Sequence, residues 1–85
     1  MIYEWDDAKR AANLAKHGVD FEQVRTFDWD TSIVSADTRR DYGELRWRAL
    51  GTISGRAYML VYTIREGRVR VISLREANKK ELRLL

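Results

Sequence analysis

The fold is decided by residues 45–74, which read LRWRALGTISGRAYMLVYTIREGRVRVISL. Apolar and polar residues alternate along most of this stretch, which is typical of β-strands with one buried face. Ser-Gly at 54–55 and Glu-Gly at 66–67 interrupt the alternation, and each pair has the length of a hairpin turn. The pattern therefore predicts an antiparallel β-meander of three long strands: Leu45–Ile53, Arg56–Arg65 and Arg68–Leu74.

Two-residue turns fix the strand register, and the register sorts side chains between the two faces of the sheet. One face collects apolar residues and is expected to be the core: Trp47, Ala49, Tyr58, Leu60, Tyr62, Ile64, Val69 and Val71. The other face, which we call the arginine face, collects basic and hydroxyl side chains around a thinner apolar set: Arg46, Arg48, Arg70, Thr52, Thr63, Leu50, Met59, Val61, Ile72 and Leu74. A plain solvent-exposed face would show the same charges.

Arg75 and Tyr62 are not expected on the arginine face, because this register places both side chains on the core side of the sheet. Strand twist or a β-bulge would have to carry Arg75 around the edge of the sheet. A role for Arg75 beside the other arginines therefore requires an irregularity in the last strand.

The segments outside the meander carry signals for helices and short strands. A helix is expected from 7 to 17, between an Asp6 N-cap and a Gly18 stop, and a short second helix follows the capping box of Asp20 and Gln23 and ends near Phe27. The remaining segments are two strands, a polar loop and a C-terminal helix: Ile2–Trp5, Thr31–Ser35, Asp37–Glu44 and Glu76–Leu85. We therefore expect one α+β domain over residues 1–85.

The composition excludes several classes of protein. At 85 residues with 45% hydrophobic and 34% charged side chains, the chain can form a small core and does not belong to the disordered class. No cysteine is present, which excludes disulfides, zinc-thiolate sites and iron-sulfur clusters and favours a cytoplasmic location. No apolar run is long enough to cross a bilayer, and the N-terminus lacks a signal peptide, so no membrane association is expected.

Charge is distributed unevenly along the chain. Residues 1–37 carry a net charge of −4 and residues 38–85 a net charge of +7, and twelve of the sixteen basic residues are arginines. Arginine pairs bidentately with phosphate, and aromatic rings such as Tyr42 and Tyr58 stand among these arginines. The combination favours single-stranded RNA over duplex DNA as a ligand, while a solvated, salt-bridged surface remains the alternative.

The side chains available for chemistry are few. One histidine and no cysteine exclude a two-histidine phosphodiesterase and a Cys-His nucleophile within one chain. The carboxylate pairs Asp28/Asp30 and Asp37/Asp41 have generic spacing, so no metal and no cofactor are expected. His17 precedes a helix-stopping glycine, where a structural role at the helix C-terminus is favoured over a catalytic one.

At this point the chain resembles the BrnT family of toxins from type II toxin-antitoxin modules. The resemblance rests on three blocks of residues in the family order. The first block is Glu4-Trp5-Asp6, Lys9, Asn13-Leu14, Lys16-His17-Gly18-Val19 and Phe21-Glu22. The second is Arg48-Ala49-Leu50-Gly51, Gly55-Arg56 and Val61-Tyr62-Thr63, and the third is residues 71–77 with Lys80 and Glu81. It implies a RelE-like α+β fold, a ribonuclease that arrests translation, and a BrnA-like ribbon-helix-helix antitoxin. Operator DNA would be reached only through that antitoxin.

The resemblance and the arginine-rich half together suggest a metal-free ribonuclease in which the 2′-hydroxyl of the substrate is the nucleophile. Three arginines are expected to stabilise charge: Arg46, Arg48 and Arg75. Three residues are expected to bind RNA: Arg70, Tyr62 and Arg65. A guanidinium stays protonated, so the base must be another group, with three candidates left open: His17, Glu44 and Glu81.

Three alternatives share the same features. A ParE-like inhibitor of a DNA-processing enzyme would have the fold without cleaving nucleic acid. A non-enzymatic nucleic-acid-binding module, or a ribosome-associated structural protein, would use the basic half alone.

Overall fold

A computed structural model describes all 85 residues and contains five strands and three short helical segments. In chain order these are β1 (Tyr3–Glu4), α1 (Asp7–His17), a 3-10 helix (Phe21–Thr26), β2 (Asp28–Ala36), β3 (Trp47–Ile53), β4 (Arg56–Arg65), β5 (Arg68–Glu76) and α2 (Lys79–Leu82). Strands β2 to β5 form an antiparallel meander, and β1 pairs in parallel with β5, giving the order β1-β5-β4-β3-β2. The predicted α+β class and meander are confirmed.

Both predicted hairpins have the predicted register. Ile53 pairs with Arg56, and Arg65 pairs with Arg68. The first residue of each turn, Ser54 and Glu66, has φ of +51°, and the glycine after it has φ of +78° or +75°. Two successive positive φ angles match the right-handed twist of the strands, and glycine adopts the second of them without a steric penalty.

A β-bulge at Ile72 changes the face on which the end of β5 presents its side chains. Tyr62 pairs with Val71, but Val61 pairs with Ser73, so Ile72 is the extra residue. Beyond the bulge, Leu74 lies opposite Leu60 and is fully buried in the core, while Arg75 lies opposite Met59 on the arginine face. The placement of Leu74 on the arginine face was therefore wrong, and the bulge needed to bring Arg75 there is present.

The core lies between the sheet and the N-terminal helices. A cluster of twelve buried residues includes Phe21 and Val24 of the 3-10 helix, which packs on β3 and β5, while α1 packs on β5. Trp47 is only partly buried and packs against this cluster. Ile64, predicted to be in the core, is 50% exposed, because the ladder between β3 and β4 ends at Trp47 and Tyr62 and leaves Ile64 without a β3 partner.

Asn13 joins α1 to the outer edge of β5. Strand β1 pairs with β5 only at Val69 and Arg70, which leaves the edge free further along. At Leu74 the Asn13 side chain replaces the missing strand: its Nδ2 donates to the Leu74 carbonyl at 2.7 Å, and its Oδ1 accepts from the Leu74 N–H at 3.2 Å. A buried edge of the sheet therefore keeps its hydrogen bonds and holds α1 next to Arg75.

The two ends of the chain show where the predicted bounds hold and where they fail. Helix α1 has the predicted bounds, with Asp6 accepting from the backbone of its first turn and Gly18 at φ of +70° after its last residue. The predicted C-terminal helix from 76 to 85 is wrong in length. The Ala77 N–H donates to the Ala57 carbonyl and extends the sheet, so helix begins only after Asn78 and forms one turn.

Candidate active site

Arg48 and Arg75 meet on the arginine face at a single carboxylate. They lie on β3 and β5, on either side of β4, opposite Val61 and Met59. The Arg75 guanidinium donates two hydrogen bonds to Glu81, at 2.8 Å to Oε1 and 2.9 Å to Oε2. Arg48 Nη2 donates to the same Oε2 at 3.3 Å. These contacts place α2 over the sheet face opposite α1.

The carboxylate of Glu81 is buried and fully hydrogen-bonded. Its side chain is 8% exposed, and Oε1 also accepts from the Asn78 N–H at 2.9 Å. The hydrogen bonds from Arg75 lower the pKa of Glu81 more than burial raises it, and the charge of Arg48 adds to the effect. Glu81 therefore stays ionised near neutral pH. The Nε of Arg48 is buried beside this cluster without a hydrogen-bond partner.

A shallow cleft of about 260 Å³ separates α1 from the outer edge of β5. Its lining is mostly polar and basic: Lys9, Ala12, Asn13, Lys16, His17, Ile72 and Ser73. The α1 members recur at helical spacing, so they share the side of the helix that faces β5. Lys9, Lys16 and His17 thus line a groove that has no acidic side chain in it.

His17 lies at the end of this cleft. Burial lowers the pKa of His17, and the positive charges of Lys16 and Arg75 lower it further. The imidazole is therefore neutral at pH 7 and has a ring nitrogen able to accept a proton. Leu74, which Asn13 of α1 bonds, immediately precedes Arg75 in β5. The cleft and the cluster of Arg48, Arg75 and Glu81 therefore meet the same strand at neighbouring positions, the cleft at its outer edge and the cluster on the arginine face.

Arg46 makes its contacts in a different place, the loop between β2 and β3. Its guanidinium lies 4.0 Å from the centre of the Tyr42 ring, and its Nε donates to Glu44 at 3.4 Å. Arg65 donates to the other oxygen of Glu44 at 3.1 Å and is the largest cause of the lowered pKa of that carboxyl. A second open cleft, of about 350 Å³, is lined by residues of this loop.

Arg70 and Tyr62, two predicted RNA-binding residues, lie apart from both clusters. Arg70 donates to Glu4 of the neighbouring strand at 2.8 Å. Tyr62 is 6% exposed in the core, where the Trp29 ring packs edge-on against it at 5.3 Å and burial raises its pKa. The structure thus groups Arg48, Arg75 and Glu81, places His17 in the cleft at the outer edge of β5, and puts Arg46, Arg65 and Glu44 in a separate cluster.

Two basic residues of the cleft, Lys9 and Lys16, were not among the residues predicted to form the site. The signal for them was present, since positions 9, 12, 13 and 16 repeat at the spacing of one helix face. What the spacing could not show is that this face lies beside the free edge of β5. No group of three or more His, Cys, Asp or Glu side chains is arranged to hold a metal ion. Neither α-helix has the length and apolar composition needed to span a bilayer.

Residues 5–81 match a family model described as the ribonuclease toxin BrnT of the type II toxin-antitoxin system. This chain belongs to the BrnT family. Its fold is similar to the crystal structure of the Brucella abortus ribonuclease toxin BrnT, with a TM-score of 0.70 and 28% sequence identity over 93% of this chain and 100% of that chain. No curated protein matches the sequence. As a family member the chain is a ribonuclease toxin with an antitoxin as its partner.

Proposed function

We propose that this BrnT chain is a single-domain, metal-independent endoribonuclease with a RelE-like arrangement, which cleaves RNA and so arrests translation and growth. The observation that carries the proposal is the convergence of Arg48 and Arg75 on the carboxylate of Glu81, which marks an anion-binding position that we call the seat. His17 lines the cleft between α1 and the same strand β5. Two arginines that share a seat can neutralise a phosphate whose charge increases during the reaction.

Cleavage would use the 2′-hydroxyl next to the scissile phosphate. His17 accepts the proton as the 2′-oxygen attacks phosphorus, and Arg48 and Arg75 stabilise the dianionic phosphorane. The bond from phosphorus to the 5′-oxygen then breaks, and the 5′-oxygen takes a proton from Lys9 or Lys16 in the same cleft. The products are a 2′,3′-cyclic phosphate and a 5′-hydroxyl end.

Among the three candidate bases, His17 fits the electrostatics best. Arginine hydrogen bonds lower the pKa of both Glu44 and Glu81, so neither carboxylate has a useful affinity for a proton near neutral pH. Glu44 also lies with Arg46 and Arg65, away from the paired arginines. The pKa of all three groups is lowered, but the ordinary pKa of histidine lies about two units above that of glutamate, which favours His17 as the proton acceptor.

The remaining basic side chains suggest how the rest of the RNA is held. Lys9 and Lys16 line the cleft between α1 and β5 and can bind the phosphates that flank the scissile phosphate. Arg46 and Arg65 in the loop cluster, and Arg70 near β1, extend the positive surface, with Tyr42 available for base stacking. Tyr62 contributes through the core, since a buried ring cannot stack on a base.

The antitoxin is proposed to be a BrnA-like ribbon-helix-helix protein that binds operator DNA and covers the basic surface of the toxin. The three apolar side chains at the centre of the arginine face, Leu50, Met59 and Val61, are already buried within this chain. Contact with the antitoxin would therefore rest on the arginines and on exposed side chains around them.

The proposal is tested by incubating the purified chain with total RNA and with single-stranded DNA, in buffer containing EDTA. RNA should be cut to fragments with 2′,3′-cyclic phosphate ends, and the DNA should remain intact, because DNA lacks the 2′-hydroxyl. Cleavage of both substrates, or a requirement for a divalent ion, would contradict the mechanism. Binding without cleavage would favour a nucleic-acid-binding module or a ParE-like inhibitor instead.

A further inference from the structure

The segment after β5 folds back so that one of its side chains occupies the seat between the paired arginines. Glu81 of α2 accepts from Arg75 through both oxygens and from Arg48 through one of them. Under the proposed function, this seat is where the scissile phosphate must bind. The free chain therefore has its own carboxylate in the place that the substrate needs.

The contacts of Glu81 are those that a phosphate would make. A guanidinium binds two oxygens of a carboxylate or of a phosphate with the same parallel pair of hydrogen bonds. Arg48 also has a buried donor that Glu81 does not use, since its Nε is buried without an acceptor. An orphaned buried donor is unfavourable, and a phosphodiester, with more oxygen atoms than a carboxylate, can satisfy it.

Helix α2, which carries Glu81, is a weakly stabilised element. It has four residues, and its flanking Lys79, Lys80 and Leu82 are exposed. Its order depends on the capping box, in which Asn78 and Glu81 bond reciprocally, and on the two ion pairs of Glu81. A single helical turn is not stable by itself, so competition for the arginines can release it.

We propose that Glu81 is a built-in competitor for the RNA phosphate, and that α2 is a latch which leaves Arg48 and Arg75 when a phosphodiester takes their seat. The inference rests on the proposed ribonuclease function and adds a regulatory step to it. The apparent affinity for RNA equals the affinity of the open form multiplied by the fraction of molecules in which the latch is open. The closed form shields two arginines from other anions.

The sharpest test compares Glu81→Gln with Glu76→Gln. Both changes remove one negative charge, and Glu76 pairs with Arg56 on the exposed surface, away from the seat. Glutamine can keep the capping box at position 81, so the fold should survive. The probe is a 2′-O-methyl RNA oligonucleotide, which cannot be cleaved, and its Kd is measured by fluorescence anisotropy.

Glu81→Gln is expected to bind the probe about 10-fold more tightly than Glu76→Gln does, because one charge-assisted contact no longer competes. Equal affinities, or weaker binding by Glu81→Gln, would overturn the latch and show that Glu81 only positions the arginines. If neither variant nor the unaltered chain binds or cleaves RNA, the proposed function itself fails. If RNA is cleaved normally but Glu81→Gln gains nothing, only the latch fails.

Hydrogen exchange gives an independent measurement on the unaltered chain. The N–H of Glu81 donates to the Asn78 side chain and that of Leu82 to the Asn78 carbonyl, so both amides are protected while α2 is formed. The probe should speed their exchange if it opens the latch, and Asn78→Ala should speed it without the probe. Exchange that stays the same or slows on binding would contradict release of α2.

Discussion

The two faces of the sheet are covered to very different degrees. The face under α1 and the 3-10 helix holds a cluster of twelve buried residues, whereas the arginine face buries Leu50, Met59 and Val61 and carries the single turn of α2. Stability is therefore concentrated on one face and charge on the other. The bulge at Ile72 makes the division possible, since it turns Leu74 into the core and Arg75 out of it.

The largest effect is expected on the core face. Leu60 is fully buried at the centre of β4, and Leu60→Ala should lower the free energy of unfolding by about 2 to 5 kcal/mol. The same change at Leu82, which is 50% exposed on α2, should stay within about 0.5 kcal/mol. Urea denaturation measures the free energy of unfolding of both variants. Comparable losses of free energy would show that the two faces of the sheet contribute equally to stability.

Arg75→Ala tests the arginine face. Loss of one charge-stabilising group should lower the RNA cleavage rate by about 10² to 10³-fold, and Arg48→Ala should act in the same direction. Arg56→Ala, an exposed arginine paired with Glu76, is the matched control and should cleave normally. The double variant Arg75→Ala, Glu81→Gln avoids an unpaired buried carboxylate, and full cleavage by this folded double variant would remove Arg75 from the mechanism.

His17→Gln should lower cleavage by about 10²-fold and flatten its pH dependence, as expected for loss of a general base. In the unaltered chain the rate should rise with pH through an apparent pKa below 6.5, because burial and the charges of Lys16 and Arg75 lower the pKa of His17. An acid limb that persists in His17→Gln would assign the base to another group. Circular dichroism over the same pH range separates loss of activity from unfolding.

Asn13→Ala tests the joint between α1 and the edge of β5. The change leaves the Leu74 N–H and carbonyl buried without partners, and should cost about 1 to 3 kcal/mol of unfolding free energy. Cleavage measured well below the unfolding transition should also fall, because α1 carries His17 towards Arg75. A destabilised variant with normal activity would show that α1 does not position the site.

Local signals predicted most of the fold, and long-range contacts account for what they missed. Helix 7–17 and both hairpins depend on caps and turn residues that lie within a few positions of each other. The bond from Asn13 to Leu74 joins residues 61 positions apart, and the bulge at Ile72 is a feature of the pairing between β4 and β5. Neither can be located from the local sequence pattern. The C-terminal helix was predicted too long because residues 76 and 77 continue the ladder with β4, against their helix propensity.

In the candidate site, too, local patterns predict some residues and only tertiary contacts bring in the others. Strand alternation alone predicts that Arg48 lies on the arginine face, whereas Arg75 reaches that face only because of the bulge at Ile72. Arg46, two positions from Arg48, makes its contacts in the loop cluster because Tyr42 and Glu44 lie in its reach. Lys9 and Lys16 were missed as members of the site because only tertiary packing puts their side of α1 beside β5.

The smallest expected effect checks the corrected boundary of the core. Ile64 and Val69 are paired neighbours on β4 and β5, yet Ile64 is 50% exposed and Val69 is 4% exposed. Ile64→Thr keeps the β-branched shape on an exposed strand end and should change the unfolding free energy by less than about 0.5 kcal/mol. Val69→Thr has nearly the same shape but buries a hydroxyl, which costs about 1 to 3 kcal/mol without a partner. Urea denaturation of the two variants side by side should reveal that asymmetry. Equal losses would place Ile64 in the core after all and extend the helix-covered face to the end of the hairpin.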